Sequence, residues 1–214
     1  MPPILHYHPL SSYCWKVLIP LYESGVDFTP HLVDLGNPAS REAFLSLWPI
    51  GKFPVIENDG EVIPESSLII EWLALRYPSA ATLIPVDPEA ALKVRRWDRF
   101  FDLHVHAHMQ QITGDRLRPP DARDPLGVER ARAGMAVALD VAEAHMAGRA
   151  FATGDDFSMA DCAAGPALHY GNRVVPLGPD RPNLSAYLAR LETRPSFARV
   201  LAEAAPYAHM FPSE

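Results

Sequence analysis

Short apolar runs separated by turn residues fill the first third of the chain, and longer helical periods fill the rest. Ile4-Leu5-His6-Tyr7 reads as a strand, closed by His8-Pro9-Leu10. Ser11 to Glu23 reads as a helix with serines at its start, and Pro20 within it predicts a kink. Phe28 to Val33 reads as a second strand interrupted by Pro30, and Ser40 to Leu45 as a short helix. The stretch Gly51-Lys52-Phe53-Pro54-Val55-Ile56-Glu57 is a proline-interrupted approach to a third strand. Asn58-Asp59-Gly60 then predicts a tight hairpin, because Gly tolerates positive φ. A fourth strand ends at Ile63, and a helix over Ser66–Tyr77 opens with Glu65-Ser66-Ser67.

This β-α-β-α-β-β-α order places parallel strands side by side through helical crossovers, and it is the order of a thioredoxin-like domain. Pro78 to Pro88 is proline-rich with little periodicity and reads as a linker. After it only helical periods occur. Glu89 to Ile112 is expected as one long helix, with Leu92, Trp97, Phe100, Phe101 and Leu103 among its apolar residues. Arg116 to Pro125 is a polar, proline-rich loop, and Gly127 to Met146 an alanine-rich helix. Ser158 and Asp161 have the spacing of a capping box, with Phe157 and Cys162 where a hydrophobic staple would stand. Asn183 to Thr193 and Pro195 to Ala204 make the last helices. The fold class is therefore α/β plus all-α: residues 1–78 form a thioredoxin-like domain, 79–88 a linker, and 89–214 an all-helical domain.

Composition narrows the partners. A formal net charge of −7 argues against nucleic acid or an anionic membrane surface. No segment has the roughly 18 apolar residues of a membrane span. Cys14 and Cys162 lie far apart with no secretory features beside them, which favours a reduced, cytoplasmic setting.

The chemistry gathers at two helix starts. Pro54 removes a backbone donor where the third strand begins, leaving that edge free to face a ligand. Ser66 and Ser67 open a helix whose N–H groups suit an anion. Lys52 and Lys16 are the cations best placed to draw in a carboxylate, each with a solvated surface charge as the alternative. Ser11 opens the first helix, where a hydroxyl and the helix dipole can stabilise a thiolate. Ser12 and Tyr7 are rival hydroxyls, and helix capping is the plain alternative for both serines. Ser11-Ser12-Tyr13-Cys14 has serine where a C-x-x-C motif has its attacking thiol, so dithiol exchange is excluded there. His104 and His108 share a helix face while His106 points away, and no further ligand is suitably spaced, so no metal site is expected. That face, with Met109, is expected to line a pocket between the domains. Lys93, Arg95, Arg96 and Arg99 read as an exposed helix flank.

The Gly51–Glu57 and Pro64–Ile70 stretches resemble the glutathione-binding half of the cytosolic glutathione transferase family, and the likeness runs over essentially the whole chain. The resemblance implies a cis Pro54 and a Phe53 backbone paired with the cysteinyl part of glutathione. It also implies that Glu65 and Ser66 hold the γ-glutamyl end; Lys52 joins the expected glutathione-binding residues through its charge. Ser158-x-x-Asp161 and Arg194-Pro195-Ser196-Phe197 look like features of that family's second domain. Ser11 matches the catalytic serine of serine-type members, nearest to zeta- or theta-like bacterial ones, though Tyr13, Lys16 and Leu18 depart from the zeta-type S-S-C-x-W-R-V-R pattern. The expected function is activation of the thiol of bound glutathione for attack on an apolar electrophile held by Tyr13, His104, His108 and Met109. A glutathione-dependent cis-trans isomerase and a non-catalytic carrier on the same fold remain the alternatives. Members are usually homodimers, with the first domain of one subunit against the second domain of its partner.

Overall fold

The computed structural model describes residues 1–212; Ser213 and Glu214, the end of the second unit as bounded above, lie outside the described residues. The chain opens with strand β1 (Ile4–Tyr7), helix α1 (Ser12–Ser24), strand β2 (Thr29–Leu32) and helix α2 (Pro38–Leu47). The hairpin β3 (Val55–Asn58) and β4 (Glu61–Pro64) follows, then α3 (Ser66–Arg76). These strands make one sheet in the order β2-β1-β3-β4, with β1 parallel to β2 and antiparallel to β3. Pro30 is tolerated because β2 is an edge strand, pairing only with β1. The helix α1 runs unbroken past Pro20 and ends at Gly25, whose φ of 61° is the left-handed stop that glycine adopts freely.

Pro78–Leu83 forms a 3-10 turn with Ala80 and Leu83 buried, so the stretch read as linker packs onto the core. The second unit consists of α4 (Pro88–Phe100), a π-helical segment (Phe101–His106), α5 (Ala107–Arg116), α6 (Pro125–Met146), α7 (Met159–Val174), α8 (Pro182–Glu192) and α9 (Pro195–Ala204). One apolar core runs through both units, joining Leu5, Trp15 and Ile69 to Phe101, Leu168 and Phe197. A smaller cluster of Val33, Phe44 and Val55 covers the other face of the sheet.

The long helix expected over Glu89–Ile112 is thus three segments, and its wide turn has a legible cause. The buried residues Trp97, Phe101, Val105 and Met109 follow one another at intervals of four, as do Asp98, Asp102 and His106. On a regular helix each such step drifts by about 40°. A π turn absorbs that drift and keeps both rows facing inward. Leu92 and Leu103, expected among the apolar residues, are 60% and 55% exposed.

The helix α7 is buried along nearly its whole length and starts with the complete capping box: Ser158 N–H and Oγ–H both donate to Asp161 Oδ2, at 2.8 and 2.9 Å. Among the described residues no helix is long and apolar enough to cross a membrane.

Candidate functional site

The approach to β3 and the start of α3 meet at one corner. The Phe53–Pro54 peptide is cis, and Gly51 ahead of it has φ 69°. Glu65 has φ 68°, a left-handed value unusual for a side chain with Cβ, and such strain clusters at ligand sites. No side chain caps α3 at Glu65, so its first-turn N–H groups point outward as anion donors.

Lys52, Phe53, Pro54, Glu65 and Ser66 line one cavity of about 240 Å³. Tyr13 shares it, and the second unit adds Arg99, Asp102 and Leu103. Tyr13 was expected in the electrophile pocket; it stands in the cavity of the Phe53 and Glu65 group instead. Burial, reinforced by Asp102, pushes its phenol up to about 12, so it stays a neutral hydroxyl.

A second cavity of about 170 Å³ lies between the start of α1 and the helical unit, lined by Leu10, Ser12, Met109, Gln110, Tyr170 and Phe211 among others. Met109 stands in its wall, but His104 and His108 do not. His104 is exposed beside Phe100, and His108 packs on Gly134 of α6, where an added Cβ would lie 2.7 Å from its Nε2. The wide turn is the reason: a constant 3.6-residue period misassigns the faces, and His106 rather than its neighbours points into the domain boundary.

Ser11 is the N-cap of α1, and its half-buried hydroxyl accepts from Cys14 N at 3.3 Å. It lines neither cavity. Ser12 is buried, and its hydroxyl meets His106 Nε2 and Gln110 Nε2. Tyr7 lines a separate cavity with Tyr22, Arg199 and Glu203; burial and then Glu203 push its hydroxyl up. Cys14 is fully buried, which pushes its thiol up to about 12 and removes it as a nucleophile.

Lys16 departs furthest from expectation. It is 0% exposed and pairs with Asp98 at 2.6 Å and Asp102 at 2.7 Å, so it is neither a surface charge nor free to draw in a ligand. It also donates to Ser67 Oγ at 2.8 Å. Arg99, read as an exposed flank, joins the same group through Asp98, Asp102 and Ser67. Two cations and two carboxylates thus balance beneath the larger cavity. Burial would raise Asp102, but His106 and Lys16 outweigh it and hold the carboxyl at about 2. Sequence reasoning missed Asp98 and Asp102 and turned His106 away from the pocket; the four-residue spacing of the three was the available signal. Among the described residues no group of three or more His, Cys, Asp or Glu side chains is placed to hold a metal.

Comparison with known proteins agrees along the chain. Residues 5–81 match the model of the glutathione S-transferase N-terminal domain, and residues 126–190 that of its C-terminal domain. The chain is 33% identical to glutathione S-transferase 3 of Zea mays, covering 94% of this chain and 95% of that one. It is 28% identical to glutathione S-transferase F6 of Arabidopsis thaliana, covering 91% and 96%. Among solved structures, a glutathione S-transferase of Methylobacillus flagellatus with glutathione bound superposes with a TM-score of 0.85 at 30% identity, covering 92% and 98%. On full-length identity and a matching fold, the chain belongs to the glutathione S-transferase family.

Proposed function

We propose that this protein is a glutathione transferase, holding glutathione in the 240 Å³ cavity and activating its thiol for attack on an apolar electrophile. The observation that carries the reading is the convergence of Lys52, Phe53, Pro54, Glu65 and Ser66 with the uncapped start of α3 on one cavity. A free carboxylate of the tripeptide suits that helix start. Residues 1–78 hold glutathione, and the helical unit supplies the electrophile's wall through Met109 in the neighbouring cavity.

Ser11 is the hydroxyl that serves the thiolate. Its oxygen accepts from Cys14 N and its proton is left to donate, whereas Ser12 is committed to His106 and Gln110, and Tyr7 stands with Tyr22, Arg199 and Glu203. Ser11 sits at the positive end of α1, where a hydroxyl and the dipole both favour a thiolate. This makes the protein serine-type. The zeta-type pattern is confined to the segment around Ser11–Val17, while the relatives matched over nearly their full length include the maize and Arabidopsis enzymes. A homodimer and a cytoplasmic setting complete the reading, and sedimentation checks the first.

The test is the absorbance of bound glutathione thiolate against pH in wild type and Ser11→Ala. Wild type is expected to lower the bound thiol's pKa by about one unit or more from ~8.5, and the variant to restore it, with conjugation slowed about 10-fold or more. A bound thiol with an unshifted pKa in wild type would leave Ser11 a helix cap and favour a carrier.

A further inference from the structure

His106 closes the π-helical segment, is 0% exposed, and touches the first turn of α1 twice. Its Nε2 lies in short contact with the Ser12 hydroxyl. Its ring lies against Tyr13, with centroids 3.9 Å apart and planes 17° from parallel. Gln110 Nε2 approaches the same Ser12 hydroxyl at 3.3 Å. Ser12 and Tyr13 directly follow Ser11, whose N–H donates to His8 O at 3.0 Å. Ser11 is therefore fixed on one side by the β1–α1 turn and on the other by the helical unit.

The second ring nitrogen sets the tautomer. His106 Nδ1 faces Asp102 Oδ1 at 3.9 Å, and neither atom has a hydrogen-bond partner. A proton on Nδ1 is attracted to that carboxylate, whereas a lone pair there would be repelled. Nε2 then carries the lone pair and accepts from Ser12 Oγ–H, while Ser12 Oγ accepts from Gln110.

We infer that His106 is a positioning residue for thiol activation, acting through Ser12 and Tyr13 to set where the Ser11 hydroxyl and the α1 N-terminus stand relative to the glutathione sulfur. The inference rests on the glutathione transferase reading above. Displacement of reacting groups by about 1 Å can slow a reaction about 100-fold, so a neighbour that indexes the serine turn is felt in turnover.

Two amides separate this role from packing. Gln at position 106 reaches the place of Nε2, whereas Asn reaches only that of Nδ1. His106→Asn is expected to raise the bound thiol's pKa by about one unit and lower kcat about 10-fold, with the glutathione KM within about twofold. His106→Gln is expected to stay within about threefold of wild type in kcat, because it keeps a partner for Ser12. Ser12→Ala is expected to reproduce His106→Asn, and the pair combined to be no worse than either alone. Equal losses in the Asn and Gln variants would overturn the inference, as would an unchanged thiol pKa in Ser12→Ala, the variant that leaves the buried ring in place. Failure of wild type to bind glutathione would instead overturn the transferase reading itself, and this inference with it.

Discussion

Asp161 and Asp102 are both buried carboxylates of the helical unit, 1% and 4% exposed, and they are held by opposite means. Asp161 accepts from Ala152 N and Ser158 N at 2.8 Å, from Ser158 Oγ at 2.9 Å and from the Tyr187 hydroxyl. All four donors are neutral and belong to the same unit. Asp102 faces Lys16 from α1, Arg99 one turn before it, and the His106 ring. The first centre closes a local helix start. The second joins the two units and forms part of the wall of the 240 Å³ cavity. Neutral donors solvate a carboxylate without cancelling its charge, whereas two cations and two carboxylates offset one another and stand where a charge entering the cavity meets them.

The largest effect should come from removing a cation from the second centre. Lys16→Met leaves Asp98 and Asp102 with Arg99 alone and is expected to cost about 4 kcal/mol in urea unfolding, because it strands buried charge. Adding Asp98→Asn should recover part of that loss, and no recovery would mean that charge balance is not what holds the cluster.

The next effect is pH dependence, and the two centres differ in sign. Asp102 titrates at about 2 in the folded protein against an ordinary 3.8. Its contribution is complete above the ordinary value and lost as pH falls through about 2, roughly 2 kcal/mol in all. Burial pushes Asp161 up instead, against the pull of its donors, so protonation there favours the folded state. Thermal melts between about pH 4 and pH 2 should therefore lose that slope in Asp102→Asn and keep it in Asp161→Asn. The same slope in both variants would erase the contrast.

The smallest effect sharpens the description of the first centre. Ser158→Ala removes one donor and the N-terminal cap of α7, and is expected to cost about 1 kcal/mol while leaving turnover per folded molecule unchanged. Unfolding and steady-state kinetics on one preparation decide both halves.

The same contrast explains what could be read from sequence. A capping box is local, its two residues three apart, so Ser158 and Asp161 announce it. Lys52 to Ser66 are likewise nearly contiguous, and a hairpin with a cis proline folds them into one corner. Strand β2 survived its proline because sheet order, not local pattern, decides which strand lies at the edge. Lys16 left no such trace, since Asp102 lies 86 residues away and an amphipathic pattern reads any lysine as solvated. Arg99 was hidden in a basic run for the same reason. Tyr7 points where α9 packs, which strand alternation alone does not say.

The wide turn at Phe101–His106 gives the longest helical stretch two phases. Upstream and downstream segments are offset by roughly one residue, about 100° of rotation. Removing a single amino acid from that stretch would let the rod close into one phase while every side chain beyond it kept its present heading. The wide turn stores one residue of length at no cost in angle, so the rod has a spare residue that exchange of individual side chains cannot reveal.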